Sequence, residues 1–128
     1  MSLDNVKHLL SEAKRLISEN RIPEAVEALY SAVELLITNL SFVHGLDVSK
    51  RAEKLGRWSV EYLDEALEEL ADMYGSDHRF LELWDLVWEL RLEKSPNIDT
   101  VRRGIELLEQ VIDRVEHGPR RRRRGRGR

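Results

Sequence analysis

At 128 residues the chain has the length of one domain, with enough surface to bury that its core needs no crosslinks. It has no cysteine, which excludes disulfides, thiolate nucleophiles and cysteine-ligated zinc or iron–sulfur centres. The net charge of −3 conceals two opposed parts: seven of the 21 basic residues fall within 120–128, and the rest of the chain sets 14 basic against 24 acidic residues, a net of −10.

Apolar residues at helical spacing recur from end to end, and no strand-like alternation interrupts them. The first predicted helix runs from Leu3 to Glu19 on Leu3, Val6, Leu9, Leu10, Ala13, Leu16 and Ile17. Asn20-Arg21-Ile22-Pro23 breaks it, and Pro23 suits the first turn of a second helix reaching Phe42. That helix carries a stripe of Ala25, Val26, Leu29, Val33, Leu36, Ile37 and Leu40. So short a break predicts an antiparallel hairpin. Residues 44–49 read as a loop, with Ser49 capping a short turn through Leu55.

A third helix is predicted from Ser59 to Tyr74, stopped by Gly75, with Val60, Leu63, Ala66, Leu67, Leu70 and Met73 inward. Asp77 is placed to cap a fourth, His78 to Glu93, which is apolar over more than one stripe. A fifth, capped by Asn97 or Asp99, ends near Glu116 after a seam of Val101, Ile105, Leu108, Ile112 and Val115, widened by Leu107 and Val111. The expected fold is an all-α, antiparallel bundle of about five helices over residues 1–117, followed by a disordered arginine-rich tail over 118–128. No apolar run approaches the roughly 20 residues a membrane span requires, and the N-terminus does not resemble a secretion signal. A cytoplasmic address without a membrane partner is expected. A charged fraction of 35% with a single glutamine leans towards thermophilic composition.

Chemistry is sparse. Glu61, Asp64, Glu65, Glu68, Glu69 and Asp72 crowd one predicted helix, and a solvated acidic face is the commoner outcome than a cation site. His8 and Glu12, like His78 and Glu82, stand four apart, but the Glu-x-x-His of bundle di-metal sites does not occur. His44 and His117, in a loop and at a helix end, are expected to be exposed. No serine lies in a Gly-x-Ser-x-Gly elbow and no glycine-rich phosphate loop exists. Neither a catalytic residue nor a metal or cofactor is therefore expected. Gly104, early in the last helix, reads as a place where helices approach closely. Phe80, Trp84 and Trp88 fall one turn apart; such a stripe is usually core, with a dimer interface as the alternative. Trp58, beside Gly56 and Arg57, is expected to close one end of the bundle. The tail, with Arg120, Arg121, Arg122, Arg123, Arg124, Arg126 and Arg128, has the composition of a nucleic-acid or anion-binding arm. Its plainer reading is a solubilising terminus.

Two stretches carry a resemblance. Glu24-Ala25-Val26-Glu27-Ala28-Leu29-Tyr30-Ser31-Ala32-Val33-Glu34-Leu35-Leu36 resembles the opening helices of HEPN-type domains. Leu83-Trp84-Asp85-Leu86-Val87-Trp88-Glu89-Leu90, the Pro96 turn and Val101-Arg102-Arg103 resemble the archaeal PaREP1 family, whose architecture is HEPN-like. The resemblance covers most of residues 1–117. It implies a helical bundle that pairs as a homodimer, and some HEPN relatives partner a nucleotidyltransferase. HEPN ribonucleases use an arginine followed, after four to six intervening residues, by a histidine. The corresponding positions are Asn39, Thr38 and Ile37 before His44; Met73, Asp72 and Ala71 before His78; and Ile112, Val111 and Gln110 before His117. That motif is absent. The reading is a non-catalytic HEPN-like binding or scaffold module, homodimeric; the alternative is an RNA- or DNA-associated protein using its tail. A third, a hydrolase, requires His44, His78 or His117 to meet carboxylates in one pocket.

Overall fold

The structure, a computed structural model, describes residues 3–119. Among them are six α-helices and no strand: α1 (Asp4–Ser18), α2 (Ile22–Val43), α3 (Asp47–Leu55), α4 (Val60–Met73), α5 (Arg79–Leu92) and α6 (Ile98–Glu116). The arginines from Arg120 onward, and the disorder expected for them, lie outside the described residues.

The hairpin of α1 and α2 forms as its short connection requires. Asn20 takes a left-handed backbone (φ 60°) at the break, and Pro23 sits in the first turn of α2, where a missing N–H leaves no bond unmade. Every residue of the predicted α2 stripe is buried, joined by Tyr30, Ala32 and Ser41. The Ser41 hydroxyl is satisfied inside its own helix by donating to the Ile37 carbonyl at 2.7 Å.

α2 is also 22 residues long and apolar enough, by length and composition, to cross a membrane, contrary to the expectation that no run would qualify. Half of that stretch is buried inside the bundle, and α1, α3, α4, α5 and α6 all pack on it. Its apolarity is that of a helix surrounded by other helices.

α3 is the sixth helix, where the sequence suggested a capped turn. Ser49 does not cap it: the helix begins at Asp47, and the Ser49 hydroxyl donates to the Leu46 carbonyl at 2.8 Å. Only Leu46, Val48 and Ala52 hold this segment to the core, a stripe too short to reveal a helix by period. The other caps follow the residue chemistry. The Ser59 hydroxyl accepts the Tyr62 N–H at 3.1 Å. Of the two candidates ahead of α6, Asn97 is the cap, its amide oxygen accepting from Asp99 at 2.7 Å. Asp77 lies one residue outside the first boundary residue of α5, yet its Oδ1 still accepts the Arg79 N–H at 3.0 Å.

The core is continuous from α1 to α6. At its centre, between Val33, Leu36, Ile37, Leu67, Phe80, Leu83 and Val111, the free space is about 10 Å³, at the lower limit for a single water. Val60 departs from expectation: it is 48% exposed, because as the first residue of α4 it extends the stripe of Leu63, Ala66, Leu67, Leu70 and Tyr74 past the end that the core covers. Leu9 and Met73 are half-buried.

Gly104 is buried on α6 where that helix meets α2 and α5. A Cβ there would stand 2.8 Å from Leu29 Cδ2 and 3.1 Å from Leu86 Cδ2, so any side chain must push those leucine methyls out of their packed positions. Gly104→Val should therefore lower the unfolding free energy by about 2 kcal/mol, read from urea denaturation. An unchanged midpoint would mean that α6 is free to move away from α2.

Candidate functional site

An open hollow lies between the last turns of α2 and the whole of α3. It encloses about 540 Å³ and opens to solvent. Thr38 and Phe42 wall it from α2; Ser49, Lys50 and Glu53 wall it from α3, with buried Ala52 between them; Arg57 and Trp58 close it behind Gly56.

Two glycines make this corner. Gly45 (φ 63°) ends the turn after α2, and Gly56 (φ 86°) ends α3, both in the left-handed region that side-chain-bearing residues rarely enter. At Gly56 the chain reverses tightly, with the Gly56 and Arg57 N–H groups both donating to the Ala52 carbonyl. That reversal brings Arg57 and Trp58 to the same hollow as Phe42. α3 itself is pinned to α4 by the ion pair of Arg51 with Glu65, and the Arg51 guanidinium lies 5.4 Å from the centre of the Tyr62 ring.

Charge sets the corner apart. Across the rest of the body, cations are matched: Lys7 with Glu116 and Lys14 with Glu109 join α1 to α6, Arg91 reaches Glu27 at 3.4 Å, and Arg103 reaches Glu82 at 3.1 Å. Lys50, Lys54 and Arg57 have no carboxylate partner among the described residues, an exception shared with Lys94 and with Arg114, which bonds the Gly118 carbonyl. Residues 47–58 hold four cations and two carboxylates, in a body that is otherwise strongly acidic. Phe42 is 78% exposed, and Val43, Leu55 and Val60 are exposed as well. Trp58, expected to close one end of the bundle, is half-buried against the core and lines the hollow.

The residues singled out from sequence fall elsewhere. Phe80 and Trp84 are 1% and 3% exposed and are spent inside the chain: Phe80 stacks on Tyr74, and Trp84 stacks on Tyr30 and donates its indole N–H to Asp64 at 3.2 Å. Both are core, the commoner of the two outcomes expected for that stripe. Trp88 differs. It is half-buried, and its indole N–H has no hydrogen-bond partner. With Leu81 and Leu92, 40% and 77% exposed, it continues along the outer edge of α5.

The histidines do not assemble. His44 is half-buried, not exposed, its Nε2 2.9 Å from the Tyr74 hydroxyl; burial raises the Tyr74 pKa above its ordinary value. His117 is exposed at the end of α6. His78 does share an open hollow of about 320 Å³ with Glu68, Asp72 and Asp77. Asp77, however, is held by Arg79, whose Nη2 lies 2.6 Å from its carboxylate. No three such groups among the described residues stand close enough to hold a metal ion.

The chain is an all-helical bundle whose α2–α3 hollow is lined by Lys50 and Arg57 together with Phe42 and Trp58. A family model for the archaeal PaREP1/PaREP8 family matches residues 1–110, and the chain belongs to that family. No curated protein and no solved structure matches it.

Asp77 gives a pH-dependent test of the α5 junction. The Arg79 side chain, aided by the Arg79 N–H and opposed by burial, holds its carboxyl below the ordinary carboxylate range. A depressed carboxyl contributes stability above its unfolded pKa and loses it as pH falls through its folded value. Asp77→Ala should cost about 1 kcal/mol at pH 7, with the gap to wild type closing in thermal melts taken under increasing acid. A gap that stays constant to low pH would assign the effect to packing.

Proposed function

We propose that this PaREP1 chain is a non-catalytic, HEPN-like binding module that associates with RNA or DNA through its cationic surface, and that it works as a homodimer. The observation that carries the reading is the placement of Lys50, Lys54 and Arg57 without acid partners on a body that pairs most of its other cations. Cations left free on an acidic protein meet a polyanion at no cost in broken ion pairs, and neutralising phosphates releases condensed counterions. The arginines from Arg120 to Arg128 add a second basic element of the same chemistry. A non-catalytic role is favoured by the dispersal of His44, His78 and His117 and by the lack of an arginine at the ribonuclease spacing.

Pairing with a second copy is favoured by the outer edge of α5. Leu81, Trp88 and Leu92 recur at helical spacing there, and Leu81 and Leu92 leave apolar surface exposed on either side of the half-buried Trp88 ring. In this reading the contact uses that edge and not Phe80 or Trp84. Leu81→Glu with Leu92→Glu should sediment as a monomer at micromolar concentrations where the wild type is a dimer. A monomeric wild type would remove the homodimer.

Binding is tested by fluorescence anisotropy with labelled RNA and DNA over a range of salt. Charge reversal of Lys50, Lys54 and Arg57 to glutamate should weaken binding at least about tenfold and flatten the salt dependence, as loss of up to three phosphate contacts requires. A chain ending at Gly118 reports the share carried by the arginines beyond it. If the wild type does not bind, or if neither change alters binding, the nucleic-acid reading is wrong.

A further inference from the structure

We infer that the hollow between α2 and α3 is a nucleobase pocket, which takes one unstacked nucleotide of a single strand between Phe42 and Trp58 with its phosphates on Lys50 and Arg57. This rests on the nucleic-acid reading above and adds what that reading leaves open: which form of nucleic acid the body selects, and by what contact. At about 540 Å³ the hollow falls in the range of sites for small organic ligands, roughly 300–1,000 Å³. A single nucleotide fits that range.

The lining argues for a base and against a bare anion. A site for phosphate alone would gain from cations and lose from a carboxylate, yet Glu53 stands in the same wall as Lys50. A nucleotide reconciles the two. Its phosphate answers Lys50 and Arg57, and an amino group on its base can donate to a carboxylate, as cytosine N4 does in direct readout. Thr38 and Ser49 donate their hydroxyl hydrogens to the Leu35 and Leu46 carbonyls, which leaves both oxygens facing this chemistry as acceptors. The two rings provide the remaining contact. Phe42 is one of the most exposed large apolar side chains described, and stacking a base on an aromatic ring needs no particular base identity.

Selection for a single strand follows from the shape. In a duplex the base faces are already stacked and paired, so a ring can reach one only after the base is unstacked. The pocket is also built before the ligand arrives. Leu46, Val48 and Ala52 anchor α3, Arg51 ties it to α4, and the left-handed turn at Gly56 brings Arg57 and Trp58 to the hollow beside Phe42 of α2. A preformed site loses little ordering entropy on binding.

The test uses the full chain and three labelled probes of equal length: oligocytidine RNA, oligodeoxycytidine, and the same deoxy strand with abasic sites, whose phosphates are unchanged. A duplex of matched length is the fourth. Wild type should bind the base-bearing strands at least about tenfold more tightly than the abasic strand, from stacking alone, and more tightly than the duplex; the RNA and DNA arms decide the sugar. Phe42→Ala, at an exposed position that folding does not depend on, and Trp58→Ala should remove most of the difference while leaving the salt slope intact. Equal binding of abasic and base-bearing strands would overturn the pocket and leave phosphate binding standing. Failure of every probe would instead remove the reading on which it rests. A change in sedimentation with Phe42→Ala, with base dependence intact, would make this corner a contact between copies and would also overturn it.

Discussion

Ten side chains of α2 are buried, and all five of the other helices touch it. The bundle is therefore arranged around one helix whose apolar residues face in several directions, and each neighbour is shaped by the space α2 leaves. Ala25 and Ala32 let helices come close, and on the other side Gly104 lets α6 reach Leu29. Its centre, between Val33, Ile37, Phe80 and Val111, is filled to within about 10 Å³.

The surface is not uniform. Between α1 and α6, α2 and α5, and α5 and α6, opposite charges face each other across the seams. Such pairs are exposed and add little stability individually, but they use up cations. What remains free is concentrated at α3, the shortest helix, attached by three buried side chains and flanked by two left-handed glycines. The same segment that contributes least to the core presents most of the cations without an acid partner among the described residues, beside the exposed Phe42 and the half-buried Trp58. A folding explanation accounts for Leu46, Val48 and Ala52; it does not account for Phe42, Lys50 or Arg57.

Much of the fold was legible because five of the helices are long enough for their apolar period to repeat. The stripes of α1, α2 and α6 are buried nearly residue for residue, and Gly104 sits at the close approach its position suggested. α3 was not legible as a helix, since nine residues with two buried among them give no period to read. The α5 stripe was legible as core at Phe80 and Trp84, but spacing alone cannot tell which of two apolar edges faces the core, so Trp88 could not be told apart from them. The hollow was legible least of all. Phe42 and Trp58 are joined only by the folding back of the chain at Gly45 and Gly56. In the sequence, Lys50 and Arg57 look no different from Lys7 and Lys14, because ion pairing with a distant helix leaves no local mark. The one trace was the position of Trp58, beside a helix-ending glycine and an arginine.

The account turns on whether the α3 corner is where the folded body meets its ligand. The most direct measurement is a titration of the isotopically labelled full chain with a short single-stranded oligonucleotide, followed through backbone amide shifts. The expected result is a contiguous set of perturbed amides from Thr38 to Trp58, with α1 and α6 unmoved apart from the terminal arginines. Perturbations centred on α5, or confined to residues beyond Gly118, would contradict it and leave the corner without a role in binding.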